Sequence, residues 1–160
     1  MGEFDKKRAD AIKRKNEAYS RAEGFDKQSE KLSENRKEVH DSKSRIPDDL
    51  PAAIKSQIDA MYESQEKQLE DQANDLADKI KDAQDDADEA IQDMRNLGND
   101  LGKKADKLSG MKDVPLVGSF LENKSKELDN QAEQMFDLAE EAQKYSDKLA
   151  ESRNRVLRRP

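Results

Sequence analysis

The sequence predicts an all-α fold, an antiparallel, coiled-coil-like bundle of three long helices in a single domain spanning residues 1–160. Three observations predict it. Val114, Leu121, Leu128, Met135, Ala142, Leu149 and Val156 recur every seven positions, with Val117, Leu138 and Tyr145 among the intervening seam positions. A matching series lies upstream, with Ala73, Ile80, Ala87, Met94, Leu101 and Leu108 at one position and Leu69, Leu76, Ala83, Ala90 and Leu97 at its companion. Apolar residues at this spacing line one face of a helix and require a partner helix. The composition agrees: 32% hydrophobic and 42% charged residues supply a narrow buried stripe and a solvated surface, and no thick core.

The first helix is expected over residues 3–44, with Ile12 and Tyr19 seven apart. After a one-residue slip of phase, Phe25, Leu32, Val39 and Ile46 follow. Gly24, beside the slip, costs about 1 kcal/mol relative to Ala in a helix and marks a bend or break. Ile46-Pro47-Asp48-Asp49-Leu50-Pro51 ends this helix, because proline disfavours helix at the preceding residue and Asp48 or Asp49 can cap the next one.

The second helix is expected over 49–108, roughly 90 Å at 1.5 Å per residue. Ala83, Ala87 and Ala90 make three seam layers small. Gly98 and Gly102 weaken the helix where they lie on or beside the seam, so either close packing or a kink is expected there. Gly110 suits a left-handed cap at the end of this helix. Asp113 and Pro115 suit the first turn of the third, over 115–157. The short turn makes these two helices antiparallel neighbours.

Leu116, Val117 and Phe120 form an apolar cluster at that hairpin tip, read either as a local core or as an exposed docking patch. On the third helix, Lys124, Gln131 and Ser152 interrupt the seam, while Ala132, Phe136 and Ala139 widen it. A further helix or a second protein is expected to cover the widened face. Leu116, Phe120, Met135, Phe136 and Leu138 are therefore the candidate partner-binding residues. Arg153, Arg155, Arg158 and Arg159 gather where the helix dipole favours cations.

Charge is unevenly placed. Residues 47–100 carry 5 Lys/Arg against 16 Asp/Glu, while residues 1–46 carry 13 against 10 and residues 101–160 carry 12 against 11. Unlike fields then help to pair the flanks with the middle. With no cysteine and a single histidine, His40, preceded by Lys37 three residues earlier, neither a zinc site nor a carboxylate-bridged bundle site is expected. The acidic run Asp82–Glu89 lacks the glycine of a calcium loop and reads as a solvated helical face. No cofactor, catalysis or nucleic-acid partner is expected, and a membrane partner is disfavoured by the acidic middle segment. No apolar stretch reaches the length of a membrane span or a signal core. The expected location is cytoplasmic, or exported without a cleavable signal.

A helical hairpin with Leu-x-Gly at its bend, Leu108-Ser109-Gly110 followed by Leu116-Val117-Gly118, resembles the WXG and LXG helical families of bacterial type VII secretion. Tyr19/Glu23, Tyr62/Glu66 and Phe136/Glu140 match the aromatic-to-acid spacing of their export signals, while the tryptophan of the WXG pattern is absent. The resemblance spans roughly residues 50–158. It implies a helical protein partner and a role as adaptor, targeting partner or chaperone for a secreted effector. A purely structural coiled-coil rod and a membrane-binding bundle are the alternatives. Self-association as a homodimer is a further way to bury leftover seam.

Overall fold

In a computed structural model describing residues 2–160, the chain forms α1 (Glu3–Ser44), α2 (Ala52–Ser109) and α3 (Gly118–Leu157). Among the described residues there is no strand, and the fold is an all-α bundle of three helices. None of the described helices is long and apolar enough to cross a membrane. Contacts divide the chain into two compact units, each built from parts of all three helices. Unit 1 holds the described residues up to Ser20 with Asp85–Ser146, and unit 2 holds Arg21–Gln84 with Asp147–Pro160.

The helix ends follow from proline and backbone chemistry. At the end of α1, Ser44 Oγ donates to the Asp41 carbonyl at 2.7 Å, and the N–H groups of Arg45 and Ile46 bond three residues back. That tightened turn stops before Pro47. α2 begins at Ala52, three residues past the expected start. The Pro51 carbonyl accepts the Lys55 N–H at 2.9 Å, so Pro51, rather than Asp48 or Asp49, holds the capping position. Pro51 disfavours helix at Leu50, which accounts for the shift.

Phase in α1 differs from the expectation. The seam runs through Phe4, Ala11, Ala18, Phe25, Leu32, Val39 and Ile46 without a slip, and Ala22 and Ser29 are buried beside it. Ile12 is only half-buried and Tyr19 is 49% exposed. α1 also continues through Gly24 with no break.

In unit 1 the core consists of Ala11, Ala90, Ile91, Met94, Leu101, Ala132, Met135, Ala139 and Ala142, with Phe4, Leu97, Leu128 and Leu138 packed against it. Ser146 Oγ donates to Asp88 at 2.6 Å and Ser125 Oγ to the Ala105 carbonyl at 2.7 Å. These contacts set α2 and α3 antiparallel. The second seam of α3 is thus Ser125, Ala132, Ala139 and Ser146, all buried, one residue later than Lys124, Gln131, Leu138 and Tyr145. Side chains this small let a hydroxyl reach the neighbouring backbone. Across α1, Arg14 pairs with Asp93 at 2.7 Å and Lys15 with Glu141 at 3.6 Å. Tyr19 and Tyr145 meet edge to face at 5.2 Å.

α2 continues as helix through Gly98. A Cβ on Gly98 would come within 2.8 Å of the Phe136 ring, so the missing side chain makes room for that ring. Gly24, by contrast, faces open space.

In unit 2, Ala22, Leu32, Ala73, Leu76, Ala77, Ile80, Ala83, Leu149 and Val156 are buried, with Ser29 and Ser152 among them. Arg155 donates to Asp26 at 2.8 Å and to Ser29 Oγ at 2.9 Å. Ser29 Oγ in turn donates to the Asp26 carbonyl at 2.8 Å. Lys148 pairs with Glu23, and Arg36 donates to the Val156 carbonyl at 2.9 Å. Arg159 pairs with Glu70 at 3.1 Å. Arg155 and Arg159 therefore bridge to other helices, in addition to any favourable effect of the α3 dipole. His40 is exposed.

Two predictions follow from these contacts. Gly24→Ala should raise stability by about 1 kcal/mol, the propensity gain in an open helical position. Gly98→Ala should lose that gain by displacing the Phe136 ring and recover it in a Phe136→Ala background, as a denaturant-melt double-mutant cycle will show. The second concerns Asp26, whose carboxyl is held below its ordinary value of 3.8 chiefly by the hydrogen bond from Arg155. A lowered folded-state value stabilises the protein above pH 3.8, and that contribution disappears as pH falls through the folded value. Asp26→Asn should cost about 1 kcal/mol at neutral pH, an estimate reduced for partial solvent screening. Thermal melts from pH 7 down to pH 2 should show the gap to wild type closing at the acid end.

Candidate functional site

Between α2 and α3 the backbone descends through a chain of tight turns. The N–H of Gly110 bonds to the Asp106 carbonyl at 3.1 Å, Met111 to Leu108 at 3.1 Å, Lys112 to Ser109 at 3.3 Å and Val114 to Met111 at 3.0 Å. Gly110 is not left-handed, contrary to expectation. That conformation belongs to Leu116, with φ of 75°. A left-handed leucine cannot continue a helix, so α3 starts at Gly118, beyond Pro115, with the Val117 carbonyl accepting the Leu121 N–H at 3.0 Å.

Gly118 is required by sterics. A Cβ there would lie 2.1 Å from the Lys112 carbonyl oxygen, a backbone atom that cannot swing aside. Of the two Leu-x-Gly triplets, the second therefore shapes the bend. Leu108 is half-buried at its base, and Gly110 is exposed.

The turn carries an apolar surface. Met111, Val114, Leu116, Val117 and Phe120 are all exposed, Phe120 by 69% and Leu116 completely. These five make up half of the ten exposed large apolar residues described in the chain, which concentrates the apolar surface in one ten-residue stretch. Exposed apolar side chains gathered in one stretch, beyond the singly scattered ones normal on a surface, point to an interaction site. The reading of this cluster as a local core is thus corrected: reversal is achieved by backbone hydrogen bonds and Gly118, leaving the side chains outward.

The remaining candidates separate. Met135 is 1% exposed and presents no surface to a partner, while Leu138 is half-buried against the same unit 1 core. The seam spacing signalled the burial of Met135, whereas Leu138 lies one residue before the buried Ala139. Phe136 is 40% exposed, with its ring over Gly98. On another face of unit 1, Lys6, Lys7 and Arg14 oppose Asp93 and Asp100 across an open groove of about 500 Å³ floored by Met94, Leu97 and Met135. The Arg14–Asp93 ion pair spans it. Sequence periodicity did not reveal this groove, which Ala11 also lines.

Among the described residues no group of three or more His, Asp or Glu is arranged to hold a metal ion. No family model matches the chain, and neither a curated protein nor a solved structure is significantly similar to it.

The fully exposed Leu116 gains nothing from packing, while left-handed backbone costs a non-glycine residue roughly 1–2 kcal/mol. Leu116→Gly should therefore raise stability by about 0.5 kcal/mol, strain relief exceeding the added entropy of the unfolded chain. Chemical denaturation of the two proteins will measure it, and a loss of stability would show that the leucine supports the fold.

Proposed function

We propose that the protein is a non-catalytic interaction module that binds another helical protein, acting as an adaptor, targeting partner or chaperone for a secreted effector. The observation that carries this reading is the α2–α3 turn, where five large apolar side chains are displayed to solvent and the most exposed of them occupies strained backbone. Strain retained where packing gives no return is a feature of functional positions. The resemblance to the WXG and LXG families supplies the class of partner, a helical protein handled by type VII secretion.

The reading makes a direct demand on solution behaviour. Co-expression with each helical protein encoded beside its gene should yield one discrete complex of fixed stoichiometry, seen by size-exclusion chromatography with light scattering. A structural spacer would yield no such complex with any of them.

A further inference from the structure

We infer that residues 3–20 of α1 are a displaceable strap over the α2–α3 pair of unit 1, and that the surface beneath them takes a basic amphipathic helix of the partner in their place. This rests on the proposed role as a binder of helical proteins and names a surface other than the turn. The free protein itself shows what fits there, because a basic helix already does. Over residues 3–20 six Lys/Arg stand against four Asp/Glu, whereas residues 85–146 of the same unit carry eight against fifteen. At the contact this difference becomes two ion pairs, Arg14 with Asp93 at 2.7 Å and Lys15 with Glu141 at 3.6 Å. Complementary charge of this kind steers encounter and fixes orientation.

The strap is thinly anchored. Its buried side chains are Ala11 and Ala18, with Phe4 half-buried at its start and Tyr19 49% exposed against Tyr145. The α2 and α3 stretches beneath contribute Ile91, Met94, Leu101 and Met135 to one buried cluster. A helix of the strap's length is marginal alone, and elements with few buried apolar contacts open well below the global unfolding free energy. The open groove of about 500 Å³ shows what the strap leaves unused. Ala11 lines it together with Met94, Leu97 and Met135, so a helix that brings a longer apolar side chain to this position gains area the alanine forgoes. The partner's helix binds only molecules whose strap is open, and its apparent affinity rises with that fraction. The strap of a second copy fits less well, since it carries the same alanines and exchanges a tethered contact for an untethered one.

The test uses the full chain. Hydrogen–deuterium exchange read by mass spectrometry should show residues 3–20 exchanging about 100-fold faster than residues 87–101 and 132–142, and faster still at high salt, where the ion pairs are screened. Arg14→Ala with Lys15→Ala removes both ion pairs and no buried apolar side chain, and should raise the open fraction about fivefold. The probe for the surface is a fluorescein-labelled synthetic peptide of residues 3–20 carrying Ala11→Leu. It should bind the doubly substituted chain about fivefold more tightly than wild type, and about tenfold more tightly than the same peptide with Ala11 retained. Asp93→Asn with Glu141→Gln loosens the strap equally but takes the same partners from the peptide, so affinity should stay within about twofold of wild type. Residues 3–20 exchanging only with the rest of unit 1, or a peptide that fails to bind the loosened chain, overturns the strap and leaves the proposed function standing. A helical partner recovered by co-expression should deprotect residues 3–20 in its complex; a complex that leaves them unchanged overturns the assignment of this surface alone. Recovery of no helical partner overturns the proposed function, and with it the partner's place on this surface. A peptide that converts dimers to monomers, seen by light scattering, would assign the surface to the strap of a second copy instead.

Discussion

Small side chains at many of the seam positions are the constraint on which the packing depends. With so few large apolar residues available, helices gain contact by approaching closely, and alanine and serine permit that approach. Ser125 shows it directly, its hydroxyl reaching the Ala105 backbone carbonyl at 2.7 Å. Phe136 shows the complementary solution, a large ring admitted because Gly98 has no side chain. Layers of this kind bury little area each, so they must be numerous, and long helices provide the repetition. Dispersion between closely approaching surfaces then compensates for the modest transfer of apolar area.

Such seams are poor at specifying register, since one alanine layer resembles the next. Polar groups fill that role. In unit 2, Asp26, Ser29 and Arg155 form a connected set between α1 and α3, and sliding either helix by one turn would separate them. In unit 1, the Ser146–Asp88 hydrogen bond does the same for α2 and α3. Partly exposed ion pairs add little to stability. Their physical importance here lies in the mispaired alternatives they penalise.

This division explains what could be read from sequence. The seams of α2 and the large series of α3 were legible because leucine, isoleucine and methionine mark them. α1 was misread because Ile12 and Tyr19 outweigh Ala11 and Ala18 in hydrophobicity, although counting back by sevens from Phe25 reaches Ala18, Ala11 and Phe4. The true companion series of α3 was hidden for a similar reason: Ser125 and Ser146 are polar letters at buried positions, satisfied by partners distant in sequence. At the candidate site, Leu116 and Phe120 were legible as an apolar cluster, but not whether they face inward. That depends on the φ angle of Leu116 and the carbonyl pressed against Gly118, neither of which follows from local propensity.

The distribution of apolar residues then poses a physical question about the turn. Seam positions 11, 18, 22, 132 and 139 hold alanine, and 29, 125 and 146 hold serine, while five large apolar side chains stand in water between Met111 and Phe120. If folding stability alone governed the sequence, larger residues would concentrate in the helices and the turn would carry glycine, asparagine and aspartate, which tolerate its geometry. Leucine at the left-handed position reverses both tendencies at one site. No contact within the folded chain repays a completely exposed leucine, and the proposed function would supply a requirement acting on the turn from outside it. A surface that gains its stabilisation only when covered satisfies that condition. The thin core and the apolar turn thus reflect one distribution of a small apolar supply, with the helices held by close approach and five larger side chains exposed at the turn, where the proposed partner would cover them.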